Sequence, residues 1–280
     1  MNLKKYKYSA MLFAGLALAS CENEVDIEGS PSAGTADFSN YVAIGNSLTA
    51  GYSDGTSDGG GLYAEAQAQS FPAILASKMQ EAQPSMPEFT QPTVPGSGSG
   101  YLKLTGLTES GSPIIEEVEA DSAEFLQKVS GPFNNMGVPG IRALDITVEG
   151  YGADPEAGNP YFWRILPESE PMTSYAEAVI GAKPTFFTCW LGNNDILGYA
   201  TSGGSAGVEG APGTFLEGIT PLPLFQQSYQ GLIAGLTADG NTKGVVATIP
   251  NVTDIPFFTT VPSAPIIPLD SATAALLNAG

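Results

Sequence analysis

The chain has 280 residues, enough for one large domain or two small ones and for a sizeable buried core. Twenty-nine acidic residues against ten basic ones give a formal net charge of −19, a surface that repels nucleic acid and anionic membranes. There is no histidine, which excludes histidine metal sites, and two cysteines are too few for a thiolate cluster.

In chain order, Lys4, Lys5 and Lys7 precede an apolar run from Ala10 to Ala19 that is too short to cross a bilayer as a helix. Residues 1–20 are therefore expected to be a signal peptide. Its end, Leu18-Ala19-Ser20-Cys21, resembles the lipobox at which bacterial lipoprotein precursors are acylated and cleaved. The resemblance implies a lipid on Cys21 and an anchor in the bacterial cell envelope, on the periplasmic face or the cell surface, with the outer membrane as the expected membrane. Loss of the signal leaves seven basic residues against 29 acidic ones, a formal −22, and Cys189 as the remaining thiol. Cys189 sits in the apolar run Thr185-Phe186-Phe187-Thr188-Cys189-Trp190 and is expected to be buried and inert. Residues 21–40 are acidic and rich in Ser, Gly and Ala, as a flexible tether is. Within them Glu22, Glu24 and Asp26 resemble the signals that send some lipoproteins to the cell surface.

Residues 41–280 are expected to form one domain. Short apolar runs alternate there with helix-like stretches, which argues for an α/β fold with a parallel sheet and crossover helices. Tyr41-Val42-Ala43-Ile44 is the first expected strand, and Phe71, Ile74, Leu75 and Met79 lie near helical spacing over residues 71–82, with Pro72 in the first turn. Residues 83–112, rich in Pro, Gly, Ser and Thr, are expected to be an inserted loop or hairpin after that helix. Further strands are expected at 185–191 and 244–249, both buried, with a helix over 223–236 between them. Asp270 to Asn278 has the pattern of a capped helix.

Three blocks follow expected strands. Gly45-Asn46-Ser47-Leu48-Thr49-Ala50-Gly51-Tyr52 places a glycine-flanked serine at the C-terminal end of the first strand, where α/β sheets put ligands and nucleophiles. Asn134-Asn135-Met136-Gly137-Val138-Pro139-Gly140-Ile141 is a turn whose Gly140 N–H would open a helix beginning Ile141-Arg142-Ala143-Leu144. Trp190-Leu191-Gly192-Asn193-Asn194-Asp195 sets amides and a carboxylate beyond another strand. Each has a plain structural explanation: glycines make turns, and Asn-Asn-Asp makes an Asx-turn or a helix cap.

Taken together, over residues 41–251, the blocks resemble the SGNH hydrolases, also called the GDSL esterase/lipase family. Gly45-Asn46-Ser47-Leu48 matches the family's Gly-Asp-Ser-Leu apart from Asn46. Gly140, with Asn135 before it, matches the second block, and Gly192-Asn193-Asn194-Asp195 matches Gly-x-Asn-Asp. The resemblance implies a flavodoxin-like three-layer α/β/α sandwich on a parallel sheet. It also implies hydrolysis of an acyl ester, in a small molecule, lipid or glycan, with Ser47 as nucleophile and the Ser47 N–H, the Gly140 N–H and the Asn194 amide as oxyanion donors. No metal or organic cofactor is called for, and no nucleic acid partner. The family's last block, Asp-x-x-His, cannot occur in these residues because there is no histidine. It is expected beyond Gly280, and the 280 residues alone are expected to turn over little. The alternative is a non-catalytic surface lipoprotein that binds glycan or lipid on the same scaffold.

Three other segments bear on a site. Asp54-Gly55-Thr56-Ser57-Asp58-Gly59-Gly60-Gly61 lacks the ligands of a calcium loop and is expected to flank the serine as a loop. Tyr161-Phe162-Trp163 is expected to be a packed aromatic cluster, with sugar stacking as the alternative. Phe257 and Phe258 suit an acyl pocket and a core equally.

Overall fold

A computed structural model describes residues 30–55, 60–121, 126–204 and 218–259. The expected signal peptide, Cys21, most of the tether, residues 56–59 of the glycine loop and the helix expected at 270–278 lie outside the described residues.

Four parallel strands form the main sheet: β1 (Tyr41–Gly45), β4 (Asn135–Gly137), β5 (Phe186–Trp190) and β6 (Lys243–Val246), in the spatial order β4-β1-β5-β6. Numbered along the chain, the parallel strands run 2-1-3-4 across the sheet, an order compatible with a flavodoxin-like α/β fold. The centre of such a sheet must be apolar on both faces. β1 meets that demand: all five of its residues are buried. Val42 and Ile44 enter one core cluster and Tyr41 and Ala43 another.

The larger cluster takes Tyr175 and Val179 from α5 (Tyr175–Gly181), Leu232 and Leu236 from α7 (Leu222–Leu236), and Phe162 and Ile165 from α4 (Pro160–Ile165). The smaller one takes Ala76 from α3 (Phe71–Ala82), with Met86. α3 forms where the sequence predicts it, capped by Ser70 and with Pro72 in its first turn, but only part of its expected apolar stripe is covered. Ile74 and Leu75 are exposed, and the buried residues are Pro72 and Ala76. Phe71 and Met79 are half-buried, Phe71 edge-on to Trp190 at 5.5 Å and Met79 against the smaller cluster.

α4 and α5 are absent from the sequence-based expectation although both begin at N-cap signatures. Asn159 precedes Pro160 and caps α4, and Ser174 with Glu177 forms a capping box on α5. The expected strand at 244–249 appears as β6, shorter and not buried: all four residues are exposed. β6 is the edge strand, and among the described residues nothing pairs with its outer side.

The expected insertion holds the first strand of an antiparallel hairpin, β2 (Tyr101–Leu107), whose second strand, β3 (Pro113–Val118), lies beyond its expected end at residue 112; the pairing is irregular between Leu104 and Gly106. The base of the hairpin is held by Tyr101 stacked on Tyr63, ring centres 4.1 Å apart. Its arms stand in solvent, with Leu104 and Leu107 more than 60% exposed. The last part of the expected tether is bonded to the domain: Asn40 Nδ2 donates to the carbonyls of Ala182 and Lys183, and Phe38 packs edge-on against Phe186 at 5.0 Å.

Candidate functional site

β1 ends at Gly45, and the chain turns at once into α1 (Ser47–Ala50), capped by the Asn46 side chain, whose oxygen accepts from Leu48 N–H at 3.2 Å. The buried Asn46 is thus a helix cap, and Ser47 is the first residue of the helix. Ser47 stands outside the carboxyl end of the first strand, at the place where the strand order reverses, which is where open parallel sheets bind ligands.

Two glycines make this placement possible. A Cβ on Gly45 would lie 2.0 Å from Thr49 Oγ1, and one on Gly137 would lie 2.2 Å from Ala50 N. α1 therefore rests directly on the backbone of β4. Tyr175, fully buried, fastens the same corner: its hydroxyl accepts from Gly45 N–H at 3.1 Å and donates to Met136 O at 2.7 Å. Burial raises the tyrosine pKa, keeping the hydroxyl a donor. The buried Asn135 completes the joint, with Nδ2 donating to Thr49 O at 2.8 Å.

Ser47 lines a cavity of about 330 Å³ together with Tyr52, Pro139, Gly140, Asn159, Pro160 and Tyr161. Gly140 is therefore brought to the serine as the sequence predicts, but no helix follows it. Residues 143–147 form turns instead. A buried ion pair explains this, because Arg142 reaches Asp145 in bidentate fashion, Nε to Oδ2 at 2.9 Å and Nη2 to Oδ1 at 2.8 Å. Asp145 Oδ2 also accepts from the Arg142 backbone N–H at 3.1 Å, which closes the segment as a compact turn. Burial opposes the charge on Arg142, and the facing Asp145 outweighs it and raises the pKa. Gly140 itself adopts φ +83°, a conformation that favours glycine.

Asn194 begins α6 (Asn194–Thr201) and does not line that cavity. Its side-chain Nδ2 donates to Ile141 O at 2.9 Å, one residue beyond Gly140. Asp195 is buried and accepts from Ala143 N–H at 2.8 Å. Burial raises its carboxyl above the usual range, against the backbone N–H groups of Ala143 and Leu144. The Asn-Asp pair thus stitches the start of α6 to the turn behind Gly140. Gly192, with φ +107°, admits the close approach of Ile249 and Phe225 beneath it.

Asn159 is a site residue that the sequence did not single out. Besides capping α4, its Nδ2 donates to Pro139 O at 2.9 Å and holds the Pro139-Gly140 turn from the far side of the cavity. The Asn-Pro step was its only local signal. The Tyr161-Phe162-Trp163 run divides. Phe162 is core, Tyr161 lines the cavity, and Trp163 lies outside under Lys128. The Tyr161 pKa is raised by burial and then by the adjacent Tyr52 hydroxyl. Cys189 is buried, and burial pushes its thiol up to about 11. Phe258 does not line the cavity, and the side chain of Phe257 lies outside the described residues.

Chemically, the site offers a hydroxyl and a set of donors. Among the described residues, neither the Ser47 N–H nor the Gly140 N–H makes a hydrogen bond within the protein, and no ionisable base lines the cavity besides the two tyrosines. No group of three or more His, Cys, Asp or Glu side chains suited to a metal occurs among the described residues.

Comparison with known protein families, curated proteins and solved structures finds no match to this chain.

Proposed function

We propose that the protein is a serine ester hydrolase of the SGNH type, with Ser47 as nucleophile. The observation that carries this reading is the position of Ser47 at the switch point of the sheet, in one cavity with Gly140, while the N–H groups of both residues are unused. Ser47 Oγ attacks the ester carbonyl carbon and its proton passes by way of a base to the departing alkoxide. Water then hydrolyses the acyl-enzyme by the same route. The carbonyl oxygen becomes an oxyanion that accepts from the Ser47 and Gly140 N–H groups, each such donor being worth about 10²–10³ in rate. Asn194 supplies the third donor. One amide hydrogen is held by Ile141 O, which orients the group, and the other is unused among the described residues.

The base this chemistry needs is the histidine of the family's Asp-x-x-His block, which the 280 residues do not contain, and the described sheet with its two core faces belongs to a three-layer α/β/α sandwich. In the same proposal residues 1–20 are a signal peptide and the lipid on Cys21 holds the enzyme in the cell envelope. The absence of histidine from the 280 residues favours a second reading, a non-catalytic lipoprotein that binds glycan or lipid in this cavity.

A fluorophosphonate probe applied to the product of the full reading frame separates the two. Labelling that Ser47→Ala abolishes is the expected result; a folded product containing Asp-x-x-His that stays unlabelled sinks the hydrolase reading, and a reading frame that stops at Gly280 removes its base. The 280 residues alone are expected to show only the residual catalysis that an oxyanion site gives without a triad.

A further inference from the structure

The chain is strongly acidic, yet two of its ten basic residues line one cavity that has no acid among its described lining residues. The cavity, of about 440 Å³, lies at the opposite end of α4 from Asn159 and is lined by Arg164 and Lys128 with Thr93, Val94, Pro95 and Gln127. It shares no residue with the cavity of Ser47. Arg164 is only 3% exposed. Its Nη1 donates to Pro92 O at 2.6 Å and its Nη2 to Thr93 O at 2.7 Å, while Nε is buried without a partner. Among the described residues no carboxylate faces it, and burial lowers its pKa to about 10. Buried charges are ordinarily paired, so a desolvated guanidinium held only by two neutral carbonyls is missing its counter-charge.

Lys128 brings a second positive charge. Its Nζ donates to Leu166 O at 2.9 Å and lies 4.9 Å from the centre of the Trp163 ring. Val129 N–H, bonded to Arg164 O at 3.0 Å, ties this segment to the end of α4. One edge of the guanidinium, Nε–H and a second terminal hydrogen, is the fork that grips two oxygens of one anion. Two cations with no acid among the described lining suit a doubly charged ligand, and Lys128 also borders the neighbouring cavity that carries Glu168, Glu170 and Glu177.

We propose that this cavity is a binding site for a phosphate group, free or as a monoester, with Arg164 as the bidentate ligand and Lys128 as the second positive charge. The site is independent of the ester chemistry proposed for Ser47.

Equilibrium dialysis of the full chain at constant ionic strength tests it, with inorganic phosphate and phenyl phosphate as probes and acetate as the monoanionic control. One saturable site per chain is expected. Its affinity should fall at least tenfold in Lys128→Met and in Arg164→Lys, and acetate should compete poorly. The probe that binds more tightly tells whether free phosphate or a monoester is the better ligand. Should Arg164→Lys fail to fold, the half-buried Lys128 still gives a variant that reads the site. Absence of saturable binding, binding unchanged in Lys128→Met, or acetate competing as well as phosphate overturns the proposal.

Discussion

Asp145 shows how a single carboxylate holds the wall of the candidate site. It is buried and meets Arg142 through two side-chain bonds, so its removal leaves a guanidinium in the interior without its counter-charge. Asp145→Ala is expected to cost about 3–5 kcal/mol, read from urea denaturation, and to loosen the turn behind Gly140. Cys189 behaves differently, because burial outweighs the contact its Sγ makes with the Tyr229 hydroxyl at 3.5 Å. In a Cys21→Ser background its thiol should resist Ellman's reagent at about pH 8 and react fully once urea unfolds the chain. The native state holds this proton up to about 11 and the unfolded state releases it near the ordinary thiol value of 9.0. That contribution to stability is complete below the lower value and is lost as pH rises through the upper one. Tyr41, pushed by burial up to about 12, acts in the same direction, so the urea midpoint should decline on the alkaline side. The sequence shows that Cys189 is enclosed because its neighbours are apolar. It does not show that Asn194 would bond to Ile141, since nothing in the local chain encodes a contact across 53 residues.

At the scale of elements, α1 depends on the glycine beneath it. A methyl group on Gly137 would meet Ala50 N at 2.2 Å and Thr49 C at 2.6 Å, both main-chain atoms that cannot swing aside. Gly137→Ala is expected to cost about 1–3 kcal/mol and to lower the rate of fluorophosphonate labelling of the full-length protein by more than the stability change explains. Labelling at the native rate would show that α1 adapts without moving Ser47. The elements next to the serine were legible because four apolar residues followed by Gly-Asn-Ser leave few alternatives. β6 was misjudged because Gly244, Val245 and Val246 are as apolar as a central strand, and local composition does not distinguish a strand with two neighbours from one with a single neighbour. Likewise Ile74 and Leu75 look like part of a core stripe on α3, yet they are exposed and it is Ala76 that joins Tyr41 and Ala43 in the smaller cluster.

For the molecule as a whole, the charge of −19 is a standing self-repulsion within a compact body. Raising sodium chloride from about 0.1 M to about 1 M shortens the screening length from about 10 Å to about 3 Å. The urea midpoint should therefore rise across that range; a midpoint that falls would mean that attractive pairs, such as the exposed Lys78–Glu81 bridge, outweigh the repulsion. The overall architecture was legible from alternating apolar runs, and the strand order was not, because the sequence does not state on which side of β1 each later strand docks.

The seat of Ser47 is made almost wholly of main chain. The glycine backbones of Gly45 and Gly137 set its height, and the Tyr175 hydroxyl and the Asn135 amide grip carbonyls and N–H groups of the strands and α1. The room in front of it is furnished separately, by side chains such as Tyr52 and Tyr161 that belong to neighbouring segments. Foundation and furniture are thus independent: the chamber can be widened or narrowed at Tyr161 to suit a different guest while the serine stays where the sheet puts it.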